Sequence, residues 1–318
     1  MVEQTDFRGC ALVANGKSVV YEVSQGFADA RSGTRCTADT RFQIASVSKQ
    51  FTAAAIMLLV ERGVVALDHE VSRWIGDCPP SWRGITVHHL LTHTSGLGHW
   101  EDFPELDLTA WLAPDEAVKV FQEASPKFKV SSDWYYSSPA YVLLARIVEE
   151  AGTEPYPRFL TRQIFEPLGL SNTFAGSPAG RCEVATGYAG TTVAPSFELD
   201  SLGMGAGDIW STTGDLLRWD RALATGEFLG GESRRLMFTS HAATGIGQLD
   251  AYGYGWQLGR VAGHEVRCHS GDNNGFKAFN AWFPKLSAYV IVLSNHNETD
   301  PAALTVRLTE EHIIGARR

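Results

Sequence analysis

Ser46 and Lys49 stand three residues apart in RFQIASVSKQFTAAAIMLLVERG, residues 41 to 63, where a short strand-like run gives way to an apolar helix. On a helix this spacing puts both side chains on one face, about one turn apart. Lysine is scarce here, and Lys49 is the only one between Lys17 and Lys119. A serine hydroxyl is a weak nucleophile until a neighbour takes its proton. A lysine can do so only when its amine is neutral, which desolvation or another positive charge brings about. The apolar run after Lys49 supplies the desolvation. Free N–H groups at a helix N-terminus would favour an anionic intermediate at Ser46. The pair reads as a nucleophile with its base. Chance alone gives about half an SxxK match in a chain of this composition, and the same residues suit a helix cap beside a snorkelling lysine. The rest of the chain has to decide between the two.

A serine–lysine site also needs a second proton relay and a strand edge to hold a substrate. WYYSSPAYVLLARIVEEAG places Tyr136 in a loop directly before a helix. RCHSGDNNGFKAFNAWF places His269, Ser270 and Gly271 at the end of a strand, followed by a glycine-containing turn. The order SxxK, then YxS, then HSG resembles the serine β-lactamase and penicillin-binding-protein superfamily. Within it the nearest groups are the class C β-lactamases, the D,D-peptidases and the β-lactamase-like esterases. LLTHTSGL (90 to 97), YVLLARIVEEAG, IFEPLGLSNT (164 to 173) and GAGDIWSTTGDLLRW (205 to 219) extend the resemblance over nearly the whole chain.

The resemblance implies roles. Ser46 is the acyl-accepting nucleophile, Lys49 its base, and Tyr136 the relay to the leaving group. Tyr135 is the alternative, but the family places its tyrosine two residues after an aromatic, here Trp134. His269 would steady Tyr136 or a substrate carboxylate with a positive or hydrogen-bonding imidazole. Ser270 and Gly271 would border the substrate, the glycine letting its backbone pass close by. The backbone N–H groups of Ser46 and Asp272 would form an oxyanion hole, where one donor is typically worth ~3–4 kcal/mol. Two departures matter. Ser138 occupies the usual asparagine position and makes fewer hydrogen bonds. His-Ser-Gly replaces Lys-Thr-Gly, so a fixed charge for a β-lactam carboxylate becomes a titratable one. Both point away from antibiotic degradation.

The elements around these motifs follow from pattern. CALVA and SVVYEVS flank an Asn15-Gly16 turn and read as a hairpin. A helix is expected from about Ser46 to Arg62, with others at 139–152, 156–169 and 212–226, each stopped by a glycine. From residue 252 the period becomes two, giving four strand-like runs and a last helix near 301–315. The fold class expected is α+β, of the β-lactamase/transpeptidase-like kind: one antiparallel sheet from both chain ends, flanked by helices. Its sheet lobe takes in about 1–60 and 228–318, with a mostly helical lobe inserted at about 61–227.

Composition excludes other classes. A net charge of −9 without a basic cluster argues against nucleic acid or an anionic membrane as partner. MVEQTDFRGC lacks the features of a secretory signal, and no apolar run is long enough to span a bilayer, so the expected location is the cytoplasm. Five scattered cysteines form neither a disulfide framework nor a zinc site. Cys268 is expected behind the sheet, since neighbours on a strand face opposite ways. His88, His89, His93 and His99 lack the acidic partner of a metalloprotease helix. GMGAGD (203 to 208) has no Lys-Ser/Thr to make it a phosphate loop. YGYGW and Trp100, Trp111 and Trp134 fit a substrate pocket or the core equally. No cofactor or metal is called for.

The function expected is serine acyl transfer through a Ser46 acyl-enzyme, on a small ester, amide or peptide. Esterase-like hydrolysis comes first, then a cytoplasmic transacylase moving an acyl group to an amine acceptor, then D-peptidase and β-lactamase activities. A ligand sensor without turnover is the reading from another class, against which the intact Ser46, Lys49 and Tyr136 set argues.

Overall fold

The computed structural model describes residues 7–315. Its main sheet has eight antiparallel strands: β1 (Gly9–Asn15), β2 (Ser18–Gln25), β3 (Ala242–Ala243), β4 (Ala251–Tyr252), β5 (Gln257–Val261), β6 (His264–Asn273), β7 (Phe276–Phe283) and β8 (Ala288–Ser294). Their spatial order is β3-β4-β5-β6-β7-β8-β1-β2, so the two chain ends meet where β8 pairs with β1. The fold is α+β, with the sheet built as the residue pattern predicts. Among the described residues eight α-helices join it: α1 (Lys49–Glu61), α2 (Val87–Thr92), α3 (Pro114–Glu123), α4 (Ser138–Gly152), α5 (Tyr156–Leu160), α6 (Thr213–Thr225), α7 (Gly231–Met237) and α8 (Pro301–Thr309).

The central strands are apolar on both faces because both faces are covered. Cys10, Leu12, Ile291 and Leu293 face the large core shared with the helices. Ala11, Val13, Val290 and Val292 face a second core closed by Leu304 and Leu308 of α8. Cys268 lies in that second core, behind the sheet as expected. Helix α1 is buried on every side from Lys49 to Leu59, which explains a sequence apolar all round rather than striped.

Three elements differ in detail from the sequence reading. The hairpin pairs Asn15 with Ser18, so its two-residue loop is Gly16-Lys17; Gly16 takes the positive φ of +57° that the first loop position requires. The run 252–261 splits into β4 and β5. Gly255, at φ +75°, lies so close to α1 that a Cβ there would sit 2.6 Å from the Lys49 carbonyl oxygen. The helix of 156–169 is α-helical only through Leu160 and then widens into a π turn over Thr161–Phe165, ending before Pro167.

Strand β6 positions the site. Its first half pairs with β5 only as far as Cys268 opposite Gln257, while its pairing with β7 runs on from Arg267 to Asn273. Residues 269–273 therefore outrun β5 and leave one backbone edge without a strand partner. The same stretch presses on the turn before α1: a Cβ on Gly271 would lie 2.2 Å from the Ile44 carbonyl oxygen. Glycine is needed there by the protein's own backbone, a reason separate from the close passage of a substrate expected from sequence.

Candidate active site

The turn Ala45–Ser48 is a 3₁₀ helix that runs directly into α1. Ala45 holds φ +47°, a region L-residues rarely enter, so the chain is bent sharply just before Ser46. This leaves Ser46 partly exposed at the floor of a cleft while Lys49 is fully buried beneath it. Lys49 Nζ lies 3.1 Å from Ser46 Oγ, 3.1 Å from Ser138 Oγ and 2.7 Å from the carbonyl oxygen of Ala206. The Ala206 carbonyl can only accept, so it takes one N–H, and a neutral amine can turn its lone pair toward Ser46. Burial holds the Lys49 pKa well below its ordinary value, opposed by the nearby Asp208. Asp208 is itself buried, and desolvation pushes its carboxyl up to about 8 while Gly205 N–H donates to Oδ1 at 3.0 Å. The amine also faces the rings of Tyr136 and Tyr141, 5.0 and 5.6 Å from their centroids. Such contacts favour the ammonium form by roughly 0.5–2 kcal/mol once a proton arrives.

Tyr136 sits two residues before α4. Its hydroxyl is buried and closes no hydrogen bond of normal geometry. Burial pushes its pKa up strongly, and Ser46 is the neighbour that draws it back down. The phenol thus stays protonated at neutral pH, with its oxygen uncommitted beside the serine. Tyr135 points elsewhere, donating to Glu101 at 3.0 Å. Across the cleft lie Asp272 and Asn273 of the free β6 edge; Asn273 Nδ2 donates to Gln43 Oε1 and the Gly207 carbonyl, which ties the strand to the turn. The cleft holds about 190 Å³, with Trp100, Leu108 and Phe197 as its apolar wall. A larger cavity of about 640 Å³ beside α8 contains neither Ser46 nor Lys49.

Residues 1–312 match the family model described as Beta-lactamase. The chain belongs to the β-lactamase family. It is similar to penicillin-binding protein 4* of Bacillus subtilis (strain 168), 31% identical over 98% of this chain and 73% of that protein. Esterase EstB of Burkholderia gladioli is 34% identical over 50% of this chain and 45% of its own length. The structure of D-amino acid amidase from Ochrobactrum anthropi SV3, complexed with L-phenylalanine, aligns with a TM-score of 0.85 at 26% identity, covering 98% of this chain and 95% of that one. With these relatives the chain is a serine hydrolase of the β-lactamase and penicillin-binding-protein family.

Within this β-lactamase-family framework His269 departs from the sequence reading. Both its ring nitrogens are committed: Nδ1 donates to the Ser270 carbonyl at 2.7 Å, and Nε2 accepts from the Tyr252 hydroxyl at 2.9 Å. It makes no hydrogen bond to Tyr136, whose ring centroid lies 6.1 Å away. Burial lowers its pKa to about 3. It therefore offers no positive charge to a substrate carboxylate, and the expectation of a cationic or Tyr136-bonded imidazole is corrected. Ser270 is exposed on the opposite face, its N–H held by Gln257.

Sequence reasoning set both His93 and His99 aside as metal ligands and read His93, from the family resemblance, as part of a structural helix-to-loop segment; the structure shows that the two hold the tyrosine loop. His93 Nδ1 accepts from the N–H of Ser137 and His99 Nδ1 from the N–H of Ser138, each at 3.1 Å. Two consecutive amides at the start of α4 are thus satisfied by imidazoles from a segment about forty residues earlier. His93 takes φ +60° at the end of α2 and packs its ring 4.5 Å from that of Tyr136. His88 and His89 are bonded to Tyr254, Thr86 and Ser131. GMGAGD, weighed as a phosphate loop, instead lays its carbonyls against Lys49, Thr52 and Asn273. Trp100 faces the cleft, whereas Trp111 is 70% exposed.

Proposed function

We propose that the protein hydrolyses small, uncharged esters through an acyl-enzyme on Ser46. In this reading Lys49 accepts the Ser46 proton as Oγ attacks the carbonyl carbon. The resulting oxyanion is held by the backbone N–H groups of Ser46 and Asp272. Tyr136 donates its proton to the leaving alkoxide and recovers one from the Lys49 ammonium, so that an alcohol departs and the amine is neutral again. Water then attacks the acyl carbon, giving its proton to the same pair, and Ser46 is released with a carboxylic acid. The free edge of β6 offers a backbone along which an extended substrate could pair. Ser138 is bound to Lys49 and serves to orient the amine more than to grip a substrate.

The observation that carries this choice is the charge of the cleft. Among the described residues lining it, only Asp272 and His99 can bear charge. Asp272 is paired with Lys277, and burial lowers the His99 pKa to about 4. Nothing in the lining offers a cation to a carboxylate-bearing peptide or β-lactam. The similarity to an esterase over half the chain supports the same choice. We expect kcat/KM for p-nitrophenyl butyrate to exceed that for a D-Ala-D-Ala peptide and a penicillin by about a hundredfold or more. Methyl esterification of the peptide's terminal carboxylate should raise its turnover. A free acid that reacts faster than its methyl ester would overturn the reading.

A further inference from the structure

His99 lines the cleft with Ser46 and Ser138; its backbone is tied on both sides and its ring is held by one hydrogen bond. Its backbone N–H donates to Asp102 Oδ2 at 2.9 Å, and the preceding Gly98 carbonyl accepts from Ser137 Oγ at 2.8 Å. Its Nδ1 accepts from the Ser138 N–H, so the proton of the neutral ring sits on Nε2. That N–H has no hydrogen-bond partner among the described residues. Glu101 Oε2 is 3.9 Å away, beyond hydrogen-bond reach, and Glu101 Oε1 is already taken by the Tyr135 hydroxyl. An oriented donor thus stands uncommitted on a residue that lines the cleft. Ser138, the other polar side chain on that wall, is engaged with Lys49.

We propose that His99 selects the acyl group, its Nε2–H donating to an acceptor oxygen that the substrate carries close to the scissile carbonyl. Preferred acyl groups would be alkoxy-, oxo- or acylamino-substituted near the carbonyl, with an apolar remainder against Trp100 and Phe197. The substrate loses little by leaving water for this site, because the ring is already oriented and no side chain must be reordered. The proposal rests on the acyl-enzyme reading above and adds to it a choice of substrate.

Two esters of one shape separate it from that reading: p-nitrophenyl methoxyacetate and p-nitrophenyl butyrate, which differ by an oxygen in place of a methylene. The readout is the ratio of their kcat/KM values, each divided by its rate with hydroxide to remove intrinsic reactivity. We expect the wild type to favour methoxyacetate by about tenfold, the usual scale of one added hydrogen bond. His99→Asn keeps an acceptor for the Ser138 N–H but lacks the distal donor; the ratio should fall to near one whatever happens to the absolute rates. His99→Gln, whose amide reaches the Nε2 position, should restore much of the preference. A wild-type ratio near one, or a ratio unchanged in His99→Asn, overturns the role of His99 while ester turnover stands. Absence of Ser46-dependent turnover of either ester overturns the esterase reading and this proposal with it.

Discussion

Lys49→Met should lower kcat/KM for an ester by about a thousandfold or more, within the range by which a positioned general base contributes. Methionine has a similar length and no proton to exchange, so the substitution removes the base and leaves the packing of α1 in place. Two effects on stability oppose each other. A buried amine no longer has to be desolvated, but the Ala206 carbonyl and the Ser138 hydroxyl lose their partner. Thermal melting alongside the kinetics distinguishes lost chemistry from lost protein. The wild-type pH profile carries the same claim. Activity needs the deprotonated amine, so kcat/KM rises as pH rises through the Lys49 pKa. Burial holds that pKa well below 10.5, so the rise should come below the ordinary lysine range. A rise centred on the ordinary lysine value would show that Lys49 is charged at rest and is not the base.

Tyr136→Phe should separate activity from stability more cleanly. The ring packs against His93 and Tyr252, at centroid distances of 4.5 and 6.4 Å, and phenylalanine keeps those contacts. The hydroxyl it deletes is buried and closes no hydrogen bond of normal geometry, so its removal costs the folded state little and relieves a desolvation penalty. We expect a melting temperature equal to the wild type or higher. Ester turnover should fall by about a hundredfold to ten-thousandfold, the loss of a general acid at the leaving group. The slower step should be acylation, seen as a lower rate of p-nitrophenol release in the first turnover. A variant that melts lower and reacts at the wild-type rate would make Tyr136 a packing residue.

How far the sequence reaches can be followed residue by residue. Ser46 and Lys49 were legible because helical spacing alone brings i and i+3 together, and the apolar run around them announced burial. Punctuation by glycine, serine and the start of a helix marked where a loop meets an element, and the family resemblance then singled out Tyr136 over Tyr135 and the HSG stretch of β6. Cys268 was placed correctly by strand alternation. The failures share one cause, which is that the partner lies far away along the chain. His269 looked like a free imidazole until Tyr252, brought alongside through β4 and β5, occupied its Nε2. His93 and His99 bond amides about forty residues on, and no local pattern marks a histidine as the acceptor for a distant helix start. The Ala206 contact to Lys49 is made by a backbone carbonyl, which every residue has and no sequence motif distinguishes. Gly271 was recognised as a close-approach position, but sequence could not say that the approaching group is Ile44.

The account stands or falls on a covalent bond at Ser46. Intact-mass spectrometry of the wild type and Ser46→Ala, quenched during turnover of p-nitrophenyl butyrate, tests it directly. The wild type should gain the mass of one butyryl group, localised to the peptide containing Ser46, and lose it as the ester is exhausted. Ser46→Ala should gain nothing and show no turnover above background. An adduct that persists in Ser46→Ala, or equal turnover by the two proteins, would contradict the account.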